Sequence, residues 1–172
     1  MISRLLRTLD RVFPPASIYA HCDIPCGIYD PHLAQLAAHT VLRMTNMIND
    51  LSDSSDKASF EERKKVISQV SRLTKVKEEN AELVKHEVRI LWGDYFKPVF
   101  AKDFPNLHED VHNVLMLASD ARQSVDEKAA NDLLESVQKI SEMFWKTKGR
   151  DTVRVKSTYP TEKDIIVPKE PE

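Results

Sequence analysis

Apolar side chains recur every three or four residues along most of this 172-residue chain, as they do on one face of an α-helix. The pattern predicts helices at about 31–51, 58–95, 105–123 and 126–146, of which the second could be broken in its first half. The connections between them are short, so consecutive helices should pack antiparallel. The sequence therefore predicts an all-α fold, an antiparallel four-helix bundle over residues 31–147.

The apolar stripes also predict which side chains form the core. Aspartate followed by proline, at positions 30 and 31, is a helix-start signal for the first helix. Its stripe comprises Leu33, Leu36, Ala37, Val41, Met44, Ile48 and Leu51. The third helix should bury Leu107, Val111, Val114, Leu115 and Ala118. The fourth should bury Ala130, Leu133, Leu134, Val137, Ile140 and Phe144.

The two ends of the chain lack this pattern. Residues 1–20 carry three arginines and an amphipathic stripe that stops at two consecutive prolines, which is typical of a removable leader. Both an organelle transit peptide and a short cytoplasmic propeptide have this character. Residues 148–172 contain three prolines and many charges, so we expect an extended or disordered tail. The apolar residues of this tail could dock on a neighbouring surface.

Charge and composition exclude several classes of protein. The formal net charge is −2, and because the leader holds three arginines and one aspartate, residues 21–172 carry −4. A nucleic-acid binder would normally show a clustered basic face, so no nucleic-acid partner is expected. No apolar run approaches the roughly 18 residues of a membrane span. Two cysteines cannot form a disulfide scaffold for a chain of this length. The expected location is the cytoplasm, with organelle import through the leader as the alternative.

Both cysteines lie in one short string before the first helix, His21-Cys22-Asp23-Ile24-Pro25-Cys26-Gly27-Ile28-Tyr29. Thiolates and imidazole select soft or borderline metals. Cleavage after Ala20 would make the histidine N-terminal, so its α-amine would join the imidazole, a backbone amide and two thiolates. This nitrogen and sulfur set favours square-planar nickel or copper over tetrahedral zinc. From spacing alone, a reversible disulfide, half of a zinc site and two core thiols remain open.

The full string resembles the metal-binding hook of nickel-containing superoxide dismutases, whose pattern H-C-D-x-P-C-G-x-Y it matches at every specified position. The resemblance continues at 85–98, 104–108 and 144–148, so it covers about residues 21–148. It implies an enzyme that converts superoxide to dioxygen and hydrogen peroxide by cycling one nickel ion per subunit between Ni(II) and Ni(III). It also implies a homohexamer, and a leader that a dedicated protease removes.

The resemblance further implies roles for individual residues. The nickel ligands would be the His21 amine and axial imidazole, the Cys22 amide and thiolate, and the Cys26 thiolate. Tyr29 and Tyr95 would stand beside the pocket, order water and limit the access of anions. Supporting positions, which shape the hook or hold it in place, would be Asp23, Pro25, Gly27 and Lys97.

Two positions depart from the family. Some members have a glutamate in the first helix and an arginine in the second that support the axial histidine, and Ala37 and Asn80 occupy those positions here. The support of His21 must therefore differ, and Asn80, His39 and a neighbouring subunit are the candidates. Because the surroundings of a ligand tune its basicity, this change concerns the strength of the axial bond more than the reaction.

Two other functions are compatible with the sequence. The same hook could serve a nickel- or copper-binding module without turnover. Separately, His108-Glu109-Asp110-Val111-His112 matches the H-E-x-x-H motif of zinc hydrolases. That motif needs a third ligand, which the sequence does not reveal, and two histidines at the surface or at a subunit contact are the simpler interpretation.

Overall fold

The computed structural model describes residues 27–51 and 58–170. These residues form α1 (His32–Asn49), α2 (Phe60–Ile90), α3 (Leu107–Gln123) and α4 (Glu127–Thr147). Consecutive helices pack on one another and α4 closes the ring against α1, so the predicted four-helix bundle is confirmed. The leader and the first six positions of the hook string lie outside the described residues.

The first two helices begin next to side chains that accept from their first backbone N–H groups. An Asp30 carboxylate oxygen accepts a hydrogen bond from the backbone N–H of His32 at 2.7 Å, as the predicted start signal requires. Ser59 and Glu62 form a reciprocal capping box at the start of α2. From there α2 runs without interruption for 31 residues, so the break considered for its first half is absent.

The buried face of α4 agrees with the predicted stripe, and that of α1 agrees only in part, at Ala37 and Val41. Every apolar residue predicted to be buried on α4 is buried. On α1, Leu33 is 44% exposed, and the buried apolar residues are Ala34, Ala37, Ala38, Val41 and Leu42. The face of α1 is rotated because this helix must cover both α2 and the C-terminal segment of the chain. None of the described helices combines the length and apolar character that a membrane span needs.

A buried lysine joins α2 to the end of α3. The Lys77 side chain is fully buried, and its ammonium donates to the carbonyl oxygens of Ala121 at 2.5 Å, Arg122 at 2.9 Å and Ser124 at 2.6 Å. The last carbonyls of a helix have no partner within the helix and carry partial negative charge. Burial lowers the pKa of Lys77, and the three acceptors compensate for the loss of water around the ammonium.

The C-terminal segment forms an antiparallel hairpin of β1 (Thr152–Lys156) and β2 (Asp164–Pro168). The expectation of disorder is therefore wrong for residues 148–170, whereas the extended conformation is correct. Ile166 is only 1% exposed, and β2 packs mainly on α4. The apolar residues of β2 thus dock, as predicted, and the surface that receives them belongs to the same chain, whereas Val153 and Val155 of β1 are exposed.

Candidate metal centre

The described chain begins at Gly27, directly after the second cysteine of the hook. Gly27 has a φ of +84°, in the left-handed region that glycine adopts without steric cost. The predicted positive φ is therefore observed, and a residue with a side chain would be strained here. His21, Cys22, Asp23, Pro25 and Cys26 lie outside the described residues, so their roles remain predictions.

The two tyrosines predicted to stand beside the pocket lie against each other. The ring centroids of Tyr29 and Tyr95 are 5.4 Å apart, with the ring planes inclined by 52°. Both side chains are partly buried. Tyr29 is the third residue after Cys26, so this pair lies where the chain leaves the second predicted thiolate ligand.

Tyr95 is positioned by a change of helix type at the end of α2. The last turn, Leu91–Tyr95, is a π-helix, and the N–H of Phe96 donates to the carbonyl of Leu91 at 2.8 Å. A π-turn contains one more residue than an α-turn and is frequent at functional sites. The Tyr95 ring then packs 4.6 Å from the Phe144 ring of α4, measured between centroids. Periodicity placed Tyr95 in the helix correctly but gave no sign of this π-turn.

Two residues at the end of α4 contact Tyr95, and sequence reasoning assigned a role to neither. The Tyr95 hydroxyl lies 2.5 Å from Oγ1 of Thr147. The Lys148 ammonium lies 4.8 Å from the centroid of the Tyr95 ring, within the range of a cation–π contact. The signal that could have drawn attention to them was the family-like stretch 144–148, because it ends on both residues.

Lys97 lies on the loop that follows the tyrosine. Its ammonium donates to the carbonyl oxygen of Asp94 at 2.6 Å, and the residue is exposed. This bond keeps a positive charge close to the end of the π-turn. A contact between Lys97 and the hook stays a prediction, because Asp23 is outside the described residues.

The residues considered for the support of His21 have other contacts. Asn80 donates to the carbonyl of Val76 in its own helix at 2.8 Å, and Ala37 is buried in the core. His39 is bound to the C-terminal hairpin through both ring nitrogens. His39 is therefore excluded as a support for His21, because it has no ring nitrogen left to bind a ligand histidine.

The H-E-x-x-H string has a structural role in the described chain. The indole N–H of Trp92 donates to Nδ1 of His108 at 2.7 Å. Asp110 pairs with Lys139 at 2.6 Å, and His112 is exposed. Across residues 27–51 and 58–170, no group of three or more histidine, cysteine, aspartate or glutamate side chains could hold a metal ion. A third ligand for a zinc site is therefore missing from this part of the chain.

Comparison with known proteins identifies the family. The sequence model of the nickel-containing superoxide dismutases matches residues 16–148, which include the whole hook string and all four helices. This chain belongs to the nickel-containing superoxide dismutase family. The match ends at the residue after α4, so the family portion stops before the C-terminal hairpin, which begins at Thr152.

Individual relatives agree with this assignment. The nickel superoxide dismutases of Streptomyces coelicolor and Streptomyces seoulensis are each 36% identical over 141 residues, which is 81% of this chain and 98% of theirs. The native crystal structure of a nickel superoxide dismutase superimposes with a TM-score of 0.63 at 35% identity, covering 74% of this chain and 99% of that one. The family fold is thus contained almost completely in this chain.

Proposed function

We propose that this chain is a nickel superoxide dismutase that holds one nickel ion through His21, Cys22 and Cys26. The observation that carries the proposal is the family match over residues 16–148, because it includes both the hook string and the bundle that presents it. Two superoxide anions and two protons give one dioxygen and one hydrogen peroxide. Nickel held by these three residues would supply the one-electron redox chemistry that this reaction requires.

The residues of the chain fit this metal. Two thiolates, an imidazole, an amine and a backbone amide form a strongly donating set that suits nickel or copper. The left-handed backbone at Gly27 supports a tight turn directly after Cys26. The described residues offer no competing cluster of ligands.

The tyrosine pair and the nearby lysines would control what reaches the metal. Tyr29, only three residues after Cys26 along the chain, lies against Tyr95, so the two rings would narrow the approach to the hook. Lys97 follows Tyr95 closely in the sequence, and the Lys148 ammonium lies over the Tyr95 ring in space. Positive charge at such an entrance raises the local concentration of an anionic substrate.

Maturation and assembly follow from the same proposal. The amine of His21 becomes available only if a protease removes residues 1–20, because in the uncleaved chain that nitrogen is an amide. By the family resemblance the mature subunit would form a homohexamer. We further propose that the enzyme works in the cytoplasm without nucleic-acid or membrane partners. The net charge of −4 on residues 21–172 supports the absence of a nucleic-acid partner.

The decisive experiment combines mass, metal and activity. Full-length protein produced with nickel and its processing protease should lose residues 1–20, contain one nickel per chain and disproportionate superoxide. Cys22→Ser should remove nickel and reduce activity to that of the uncatalysed reaction. His86→Ala, which changes an exposed histidine on α2, is the matched control and should keep both.

Three results would contradict the proposal. They are an active enzyme that retains Met1, an active enzyme without nickel, and full activity in Cys22→Ser. Nickel binding by the processed protein without dismutase activity would instead indicate a nickel- or copper-binding module. A hydrolase activity that is lost in His112→Ala and kept in Cys26→Ser would indicate zinc hydrolase chemistry.

A further inference from the structure

The hydrogen bonds at the end of α4 fix the direction of one proton. Thr147 has a single hydroxyl hydrogen, and its Oγ1 lies 2.6 Å from the carbonyl oxygen of Phe144. A carbonyl oxygen can only accept a hydrogen bond, so Thr147 donates to it. In its 2.5 Å contact with Tyr95, Thr147 must therefore be the acceptor. Tyr95 donates its only hydroxyl proton to Thr147.

We propose that Thr147 is a positioning residue that makes the hydroxyl of Tyr95 an acceptor, and not a donor, toward the metal pocket. With its proton committed to Thr147, the Tyr95 oxygen has only lone pairs to offer any other group. Such an oxygen accepts a hydrogen bond from water or from hydrogen peroxide. It gives no hydrogen bond to an anion, so it does not retain an anion beside the metal. The direction of the hydrogen bonds follows from the structure alone, whereas the consequence for anions beside the metal rests on the proposed function.

The packing around the Tyr95 ring holds its hydroxyl in contact with Thr147. Phe144 lies 4.6 Å from its ring centroid on one side and Tyr29 lies 5.4 Å away on another. The Lys148 ammonium sits 4.8 Å from the same centroid. A ring enclosed in this way cannot swing out, so the hydroxyl stays at the last turn of α4. Serine could replace threonine there, whereas valine has the same shape without the acceptor.

Vibrational spectroscopy tests the proton direction without nickel and without turnover. The intensity ratio of the tyrosine Fermi doublet in ultraviolet resonance Raman spectra separates a phenol that donates from one that only accepts. We expect the metal-free full chain and its Thr147→Ser variant to share a donor signal that disappears in Tyr95→Phe. Thr147→Val should shift that signal away from the pure donor form, because the freed hydroxyl can then both donate to water and accept from it. Thr147→Ala, a second variant without a hydroxyl, should give the same change.

Two spectroscopic results would overturn the inference. One is an unchanged Tyr95 signal in both variants that lack the hydroxyl. The other is loss of the donor signal in Thr147→Ser to the same extent as in Thr147→Val. Because none of these measurements needs metal, they stand even if the protein has no dismutase activity.

If the protein is active, inhibition by azide gives the functional readout. In Thr147→Val the freed hydroxyl proton can point into the pocket and bind an anion, so the inhibition constant for azide should fall by about two- to tenfold. Thr147→Ser should match the unmodified enzyme. An inhibition constant that is unchanged in Thr147→Val would contradict the functional part of the inference.

Discussion

The bundle and the C-terminal hairpin belong to one chain but are held by different forces. Side chains such as Val88, Val114 and Phe144 are fully excluded from water in the bundle, so burial of apolar surface dominates there. Among the described hairpin residues, Ile166 is the one apolar side chain that is buried. Polar side chains make much of the attachment between the hairpin and the bundle. A two-stranded hairpin is marginal in water by itself. The difference shows that the hairpin depends on the bundle for its structure.

The polar attachment is built from residues that point out of the bundle core toward the tail. The side-chain amide of Gln35 donates to the Ile166 carbonyl at 3.0 Å and accepts from the Ile166 N–H at 2.8 Å, as a neighbouring strand would. From α4, Gln138 donates to the Asp164 carbonyl at 2.6 Å and accepts from Arg154 at 3.0 Å. The buried side chains of Gln35 and Gln138 thus each have partners in the hairpin.

The family match gives this contrast a functional meaning. It covers the hook and the bundle and stops at residue 148, before either strand. Thr147 and Lys148, which contact Tyr95, lie at the junction between the two regions. The hairpin therefore lies outside the family match and is anchored next to the residues that contact Tyr95.

The largest effect is expected from a cavity in the bundle. Phe144→Ala removes a fully buried ring and should lower the free energy of unfolding by about 3–5 kcal/mol. It also removes a ring that packs on Tyr95. Urea denaturation of the full chain, followed by helical circular dichroism, measures the change.

The matched control for this prediction is a large apolar residue on the surface. Met116 on α3 is 49% exposed, so Met116→Ala should change the free energy of unfolding by no more than about 0.5 kcal/mol. Equal losses in the two variants would contradict the view that burial inside the bundle dominates its stability.

A smaller and more local effect is expected at the junction with the hairpin. Gln35→Leu keeps the size of the side chain but leaves the N–H and carbonyl of Ile166 without their partner. An unpaired buried group costs about 1–3 kcal/mol, and we expect this cost to appear as weaker docking of the hairpin. Hydrogen exchange should therefore accelerate at the amides of β2 while those of α3 stay protected.

Gln123→Leu is the corresponding control, because Gln123 is an exposed glutamine at the end of α3. It should leave the exchange of β2 amides unchanged. If Gln35→Leu accelerated exchange equally in α3 and β2, the hairpin and the bundle would unfold as one unit, and the proposed separation of the two regions would be wrong.

The same contrast explains how far the sequence predicted the fold. The α4 stripe was predicted residue by residue, because a 3.6-residue period that repeats along a long helix specifies one face. The α1 face was predicted incorrectly at Leu33, since Gln35 and His39 are buried there as polar partners of a segment that lies more than 100 residues away. Strands of five residues carry too short a pattern to be distinguished from an extended tail.

The candidate site shows a similar division. The tyrosine pair was predicted from the family resemblance, and the hook chemistry, which follows from residue type and the same resemblance, stays a prediction. The π-turn at Leu91–Tyr95 and the proton direction set by Thr147 were not predicted. Both depend on which atoms of distant elements meet, and local propensity does not contain that information.

The smallest effect expected is a dependence of hairpin docking on pH, through His39. The carbonyl of Asp164 can only accept, so Nε2 of His39 carries the proton and donates across 3.1 Å. Nδ1 of the neutral ring then accepts from the Thr161 hydroxyl at 2.8 Å. Burial lowers the pKa of His39 below its ordinary value of 6.5. Docking of the hairpin therefore favours the neutral His39 ring, and protonation of that ring opposes docking.

The sign of the effect follows from this lowered pKa. Above about pH 6.5 the ring is neutral whether the hairpin is docked or not, so docking is unaffected. Below that pH the undocked ring binds a proton first, and docking weakens by at most about 1.4 kcal/mol per pH unit. Exchange of the Ile166 amide, corrected for its intrinsic pH dependence, should therefore accelerate on acidification in the unmodified chain. In His39→Gln, which has no titratable ring, the acceleration should be absent. The exposed His108 and His112 remain in that variant, so an acceleration that persisted there would assign the effect to another group and show that the hairpin is insensitive to His39.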